Sequence, residues 1–154
     1  MRTEREWIWL DMDGTIADLY GVEGWLDDLI AFNPRPYREA KSLYNLIDIL
    51  AILMDLKENG YNIGIISWGS KANNDNFDRI VEEVKKEWLY DNCFDFFLDE
   101  IIITPYGVKK ADTCRKYGRG ILVDDELQNR EAWDLGFTID ATKNIIEELK
   151  KILL

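Results

Sequence analysis

The chain has 154 residues, of which 47% are hydrophobic, enough for one domain with a buried core. Its formal net charge of −11 disfavours binding to bulk nucleic acid, because an acidic surface repels a polyanion. The absence of histidine excludes Ser-His-Asp triads and HExxH zinc sites. No signal peptide, CxxC spacing or membrane-length apolar run is present, so we expect one cytoplasmic domain over residues 1–154, with no membrane contact.

Short apolar runs alternate with amphipathic segments along the chain. The runs WIWL, YNIGII, EIIIT and GILV are typical of buried strands, and FTID is a fifth, weaker candidate. The segments between them have the 3.6-residue periodicity of helices that pack on a core. This alternation predicts an α/β fold with three layers, a Rossmann-like parallel sheet between helices. In chain order, the predicted strands are 7–10, 61–66, 100–104, 120–123 and 137–140, and the predicted helices are 42–60, 76–89 and 144–153.

Residues 19–41 follow this alternation poorly and are rich in aromatic side chains. We expect them to form a small cap insertion over one end of the sheet. The aromatic side chains either attach the insertion to the core or stack on a substrate. The arginines of this segment offer partners for a second anionic group, although such arginines are more often solvated. The aromatic residues are Tyr20, Trp25 and Tyr37, and the arginines are Arg35 and Arg38.

Charged and polar residues follow four of the predicted strands at the point where each strand ends. In an open α/β sheet, ligands bind at the carboxyl ends of the strands. Carboxylates gathered there repel one another unless they share a proton or a cation. A hard, oxygen-preferring ion such as Mg²⁺ is the simplest solution. The residues are, in chain order, Asp11 and Asp13, then Ser67, then Lys109 and Lys110, then Asp124 and Asp125.

Most of these features also have a structural explanation. An Asp-Gly pair after a strand, as at Asp13 and Gly14, is a common turn signal. Asp125 and Ser67 are both suitable helix caps, although a cap explains one carboxylate after a strand and not two. Trp68 either packs beside the strand end or stacks on a base. The joint order of the motifs favours a functional site over these separate explanations.

This order resembles the haloacid-dehalogenase superfamily of phosphotransferases. DMDGT follows the first strand, a serine follows the second, a lysine comes next, and ILVDDE ends in an aspartate pair. The motifs span residues 11–125, which is most of the chain. SWGSK, KEWL, TPYGVKKAD and VDDELQNREAW further resemble small phage and bacterial members of the superfamily, which are usually described as 5′-nucleotidase-like.

The resemblance implies a role for each acidic residue. Asp11 is the nucleophile that forms an aspartyl-phosphate, and Asp13 is the general acid and then the general base. Mg²⁺ is the implied cofactor. Its implied ligands are the Asp11 carboxylate, the Asp13 backbone carbonyl and the Asp125 carboxylate. Asp124 lies next to these ligands and does not bind the ion directly.

The resemblance also implies a set of phosphate contacts. In the superfamily the lysine stands just before the small residue that opens a helix, which favours Lys110 over Lys109. A serine and a lysine neutralise the charge of the transferring phosphoryl group. The implied phosphate-binding residues are Met12, Gly14, Ser67, Trp68 and Lys110.

The implied function is Mg²⁺-dependent hydrolysis of a small phosphorylated substrate, with a (deoxy)nucleoside monophosphate as the leading candidate. One alternative is an inactive or regulatory module of the same fold that binds phosphate or nucleotides. Another is a phosphatase that acts on polynucleotide ends. A signalling receiver domain uses similar residues, but its phosphorylated aspartate follows the third strand, and the third strand here ends in ITPYG.

Overall fold

The computed structural model describes residues 5–72 and 74–154 of the chain. Its strands are β1 (Trp7–Leu10), β2 (Ala17–Asp18), β3 (Lys41–Ser42), β4 (Asn62–Trp68), β5 (Glu100–Thr104), β6 (Gly120–Asp124) and β7 (Thr138–Asp140). Its α-helices are α1 (Trp25–Ile30), α2 (Arg35–Glu39), α3 (Leu46–Glu58), α4 (Asp75–Asp91), α5 (Lys110–Cys114), α6 (Leu127–Glu131) and α7 (Ile145–Ile152). Five strands form one parallel sheet in the order β5-β4-β1-β6-β7. The Rossmann-like α/β/α fold predicted from the sequence is therefore confirmed.

The central strand β1 explains why helices cover both faces of the sheet. Because side chains alternate along a strand, Ile8 and Leu10 point to one face and pack with α3 and α7. Trp7 and Trp9 point to the other face, where their rings stack with centroids 4.7 Å apart. Gly64 on β4 makes room for this pair, since a Cβ there would stand 2.4 Å from the Trp9 ring. Each such fully buried side chain contributes about 1.5–3 kcal/mol to folding.

The helix α3 begins four residues later than the apolar periodicity predicts. Lys41 and Ser42 pair instead with Ala17 and Asp18 as an antiparallel ribbon. The side chain of Asn45 then accepts a hydrogen bond from the backbone N–H three residues on, which caps the helix (3.2 Å). Within the described ranges, none of the helices is long and apolar enough to span a bilayer.

The insertion, residues 19–41, packs against the first half of α4. Leu19 and Tyr37 form a small apolar cluster with Phe77, Val81 and Val84 of that helix. The ribbon of β2 and β3 joins the two ends of the insertion. This places α1 and α2 beside the carboxyl end of β1, where the candidate site lies.

Candidate active site

The parallel register of the sheet brings two of the acidic segments together. Leu10 of β1 lies opposite Val123 of β6, so the next residues, Asp11 and Asp124, leave the sheet side by side. The Asp11 N–H still donates to the Val123 carbonyl, at 2.9 Å, which holds the start of the loop in the ladder. Oxygen atoms of Asp11, Asp124 and Asp125 lie within 4.8 Å of one another. Strand register thus brings Asp11 and Asp124 together, and Asp125 follows directly in the chain.

Lys110 is the lysine that points into this cluster. Its ammonium donates to Asp11 Oδ1 at 2.9 Å and to Asp124 Oδ2 at 2.6 Å, and the residue is only 4% exposed. Burial acts to lower the pKa of Lys110, but the two carboxylates outweigh it and raise the pKa above its ordinary value. Lys109 is exposed. The structure therefore brings Lys110, and not Lys109, to the acidic residues.

The two aspartates that follow β6 differ in how they are satisfied. Asp124 Oδ1 accepts the Glu126 N–H at 2.9 Å, and Oδ2 accepts both Lys110 and Asn129. Asp125 Oδ1 is buried and lacks a hydrogen-bond partner among the described residues. Burial, with the Asp11 carboxylate next in importance, raises the pKa of Asp125 to about 8. Asp125 is thus the carboxylate with unused capacity to bind a cation.

These residues fit a divalent, oxygen-preferring cation such as Mg²⁺. Three carboxylates offer oxygens at one point, and a buried oxygen without a partner is costly unless an ion or water meets it. When ionised, Asp11, Asp124 and Asp125 together with the Lys110 ammonium carry a formal charge of −2, which one divalent ion balances. Asp11 and Asp125 would hold the ion, with Asp124 kept in place by Lys110.

The Gly14 N–H is used within the loop after β1. It donates to the Ala17 carbonyl at 2.9 Å and is therefore not available to a phosphate oxygen. Gly14 has φ of +79°, and a Cβ there would stand 2.2 Å from Asp125 Oδ2. Met12 is 1% exposed, with its side chain in the hydrophobic core. Neither Met12 nor Gly14 lines the cavity beside the site, and their contact with phosphate through backbone groups stays a prediction.

Asp13 and Ser67 meet at a second buried lysine, which the sequence analysis missed. Lys85, on α4, donates from Nζ to Asp13 Oδ2 at 2.8 Å and to Ser67 Oγ at 2.9 Å. Burial raises the pKa of Asp13, with the Lys85 ammonium opposing this shift and the Asp11 carboxylate adding to it. One feature of the sequence indicates that Lys85 is buried: it follows Val81 by four residues and so lies on the apolar stripe of its helix.

Trp68 packs beside the site. Its Nε1 donates to the Val108 carbonyl at 2.7 Å, and its ring lies 4.8 Å from that of Tyr106. The Lys110 ammonium lies 5.5 Å from the centre of the Trp68 ring. Trp68 lines the cavity, so its ring is both anchored by the loop after β5 and available to a ligand.

A cavity of about 440 Å³ opens above Asp11 and lies against the insertion. The insertion contributes only apolar and aromatic side chains to it. Arg35 does not face it, because its guanidinium binds Asp28, Glu39 and the Glu23 carbonyl. Arg35 is therefore not available to a second anionic group of a ligand. The lining residues from the insertion are Leu19, Tyr20, Trp25, Leu26, Leu29, Ile30, Phe32 and Tyr37.

No family model matches the chain, and no curated protein is significantly similar to it in sequence. Among solved structures, the chain is similar to D,D-heptose 1,7-bisphosphate phosphatase from Burkholderia thailandensis, with a TM-score of 0.60 and 12% identity over 97% of this chain and 99% of that one. It is also similar to the B. bronchiseptica D,D-heptose 1,7-bisphosphate phosphatase complexed with magnesium and phosphate, with a TM-score of 0.59 and 12% identity over 96% and 99%. The TM-scores and the coverage show that the chain shares the fold of these phosphatases over almost its whole length, and at 12% identity the likeness shows the fold alone.

Proposed function

We propose that the chain is a Mg²⁺-dependent phosphomonoester hydrolase that works through an aspartyl-phosphate. The observation that carries this proposal is that Asp11, Asp13, Ser67 and Lys110 line one cavity, at the carboxyl ends of three strands. This set supplies a nucleophile, a proton donor, a hydroxyl and a cation, which are the groups that phosphoryl transfer requires. The same fold in two phosphatases, one of them complexed with magnesium and phosphate, supports the proposal.

Two displacements at phosphorus make up the reaction. In the first, a carboxylate oxygen of Asp11 forms a bond to phosphorus as the ester P–O bond breaks, and Asp13 gives its proton to the departing alkoxide. In the second, Asp13 takes a proton from water, the water oxygen bonds to phosphorus, and the bond to Asp11 breaks. Asp13 ends protonated and Asp11 ends ionised, so both residues return to their starting states.

The charged side chains prepare Asp11 for this chemistry. Lys110 donates to one Asp11 oxygen and Thr15 donates to the other at 3.2 Å, so the carboxylate is held in one orientation. The Lys110 ammonium and the Ser67 hydroxyl stabilise negative charge on the transferring phosphoryl oxygens. A Mg²⁺ ion bound by Asp11 and Asp125 would supply further positive charge to these oxygens.

The substrate that we propose is a small phosphomonoester with a flat apolar group, with a (deoxy)nucleoside monophosphate as the leading candidate. The part of the cavity formed by the insertion is apolar, and Tyr20 there is 48% exposed with its ring edge-to-face on Trp25 at 5.0 Å. The lysines that line the cavity are Lys71 and Lys110, and Glu126 lies with them. Such a lining favours one phosphate and an aromatic base over two phosphates.

The test is the kcat/KM of the purified protein with Mg²⁺ on a panel of phosphomonoesters. The panel contains nucleoside monophosphates, ribose 5-phosphate, a hexose bisphosphate and a 5′-phosphorylated oligonucleotide. We expect nucleoside monophosphates to exceed ribose 5-phosphate in kcat/KM by about fivefold to a hundredfold, since stacking on an aromatic ring contributes roughly 1–3 kcal/mol. Equal values for the two would show that no base is recognised.

The remaining outcomes separate the alternatives. A preference for the hexose bisphosphate would contradict the argument from the apolar cavity, and a preference for the oligonucleotide would favour a polynucleotide end phosphatase. Absence of turnover on the whole panel would favour a phosphate-binding module. Tyr20→Leu should reduce the preference for the nucleotide, whereas Tyr90→Leu, on the exposed face of α4, is the matched control.

A further inference from the structure

Lys85 occupies a position where a lysine is unexpected. The buried face of α4 is formed by apolar residues at helical spacing, and Lys85 lies among them at 1% exposure. A buried ammonium is costly unless its hydrogen bonds and its charge are both met. Its neighbour Lys86 shows the ordinary alternative, an exposed side chain that pairs with Glu82 one turn earlier at 3.1 Å.

All three donors of the Lys85 ammonium are used within the candidate site. They reach Asp13 Oδ2 at 2.8 Å, Ser67 Oγ at 2.9 Å and the Trp68 carbonyl at 2.6 Å. The ammonium also lies 4.9 Å from the centre of the Tyr37 ring. One side chain therefore ties α4 and the insertion to the loop after β1 and to the end of β4.

The direction of these hydrogen bonds has consequences for Ser67 and Asp13. Because Ser67 Oγ accepts from Lys85, the Ser67 hydroxyl hydrogen is left to donate to another group, such as a phosphoryl oxygen. Because Asp13 Oδ2 accepts from the same ammonium, Asp13 Oδ1 is the oxygen that can exchange a proton with the ester. The side chain of Lys85 is not among those that line the cavity.

We propose that Lys85 is a positioning residue that aims the Asp13 carboxyl at the leaving oxygen and the Ser67 hydroxyl at the phosphoryl group. The proposal rests on the proposed phosphatase function and adds to it a residue that acts through two others. The competing explanation is that Lys85 only ties α4 to the sheet. The two explanations predict different losses of kcat/KM. If Lys85 positions Asp13, the loss is larger for an ester whose leaving group needs a proton from Asp13 than for one whose leaving group does not.

The experiment compares Lys85→Met with Lys86→Met and the wild type on two esters with Mg²⁺. Phenyl phosphate has a poor leaving group that needs a proton from Asp13, whereas 4-nitrophenyl phosphate needs little protonation. In Lys85→Met we expect kcat/KM to fall about a hundredfold for phenyl phosphate and about tenfold or less for 4-nitrophenyl phosphate. Lys86→Met, which removes the same charge from the same helix, should stay close to the wild type for both.

Equal losses on the two esters would overturn the proposal and leave Lys85 with a structural role. If Lys85→Met does not fold, Lys85→Gln retains an N–H donor, and the same unequal loss, of smaller size, is expected from it. Binding of inorganic phosphate in the presence of Mg²⁺ gives a readout that does not need turnover. We expect Lys85→Met, or Lys85→Gln in its place, to weaken this binding by about tenfold, because the Ser67 hydroxyl is no longer oriented toward the phosphate and Asp13 loses its cation.

The phosphate measurement separates this proposal from the proposed function. A wild type that binds phosphate but hydrolyses no ester would refute the phosphatase function, and the weaker binding expected of the variant would still support Lys85 as the residue that orients Ser67. Unchanged phosphate binding in the variant would contradict that orientation, whether or not the wild type is active.

Discussion

Gly14 and Asp125 approach so closely that a Cβ on residue 14 would stand 2.2 Å from Asp125 Oδ2. This contact joins the loop after β1 to the loop after β6 at the point where the carboxylates gather. The glycine at this position is required both by its φ of +79° and by the space that Asp125 occupies. Gly14 therefore has a specific role in the DMDGT motif: it leaves space for Asp125, whose buried Oδ1 has no hydrogen-bond partner in the part of the chain that the structure describes.

Gly14→Ala should displace Asp125 and weaken the binding of Mg²⁺ by about tenfold or more. The substitution should also destabilise the fold by roughly 1–2 kcal/mol, because alanine is strained at a positive φ. A Mg²⁺ titration and a denaturant unfolding curve measure the two effects separately.

Gly60→Ala is the matched control for this variant. Gly60 has φ of +96°, and a Cβ there would meet nothing within 4 Å. The control should lose a similar amount of stability and keep the Mg²⁺ affinity of the wild type. Equal Mg²⁺ affinities for Gly14→Ala and Gly60→Ala would contradict the role assigned to the contact between Gly14 and Asp125.

The metal-free protein should lose stability as the pH rises from about 5 to 8. Burial raises the pKa of Asp125 to about 8, above its value in the unfolded chain, so the folded state binds more protons in this window. The free energy of unfolding must then decrease with pH until Asp125 has ionised. With no histidine in the chain, the carboxylate cluster dominates this titration.

Two comparisons check this pH dependence by thermal unfolding. Asp125→Asn should stabilise the metal-free protein at pH 8 and flatten the dependence, since the amide cannot ionise. Saturating Mg²⁺ should raise the melting temperature of the wild type most at the upper end of the window, because the ion binds the ionised carboxylate. A melting temperature of the metal-free wild type that rises between pH 5 and 8 would contradict the raised pKa.

Lys110→Met should reduce kcat/KM by roughly a hundredfold to a thousandfold, because it removes a buried cation from Asp11 and from the transferring group. Lys109→Met, one residue earlier and exposed, should remain close to the wild type. Steady-state assays on a single phosphomonoester are sufficient for this pair. A larger loss in Lys109→Met than in Lys110→Met would reverse the assignment of the phosphate-binding lysine.

The positions of the strands could be predicted because their apolar runs are short and end abruptly in polar residues. Ligands bind at the carboxyl ends of the strands in an open α/β sheet, and this rule places Asp11 and Asp124 at one edge of the sheet from the sequence alone. The register of β1 and β6 agrees with this placement. The start of α3 could not be predicted in this way. The predicted helix starts at Ser42, but Ser42 pairs with β2 instead, and the helix begins at Leu46.

The role of Lys85 could not be predicted from local patterns. The rule that lysines in amphipathic helices face solvent holds for Lys86 but not for Lys85, whose side-chain partners are distant in the sequence. Of these partners, Asp13 lies 72 residues away and Ser67 lies 18 residues away. The periodicity of a helix or a strand relates only residues that are close in the sequence, so it cannot predict these contacts. The place of Lys85 on the apolar stripe of α4 was the one local sign.

The role of Asp11 as a nucleophile is tested most directly by rapid acid quench of the wild type and of Asp11→Asn during turnover with Mg²⁺. The quenched protein is digested, and the peptide that contains residue 11 is examined by mass spectrometry. In the wild type we predict one added phosphoryl group on Asp11, which hydroxylamine removes, because an acyl phosphate is attacked readily by a strong nucleophile. In Asp11→Asn we predict a folded protein with neither the added group nor turnover. Turnover near the wild-type rate in Asp11→Asn, or a phosphoryl group on another residue, would contradict the covalent mechanism.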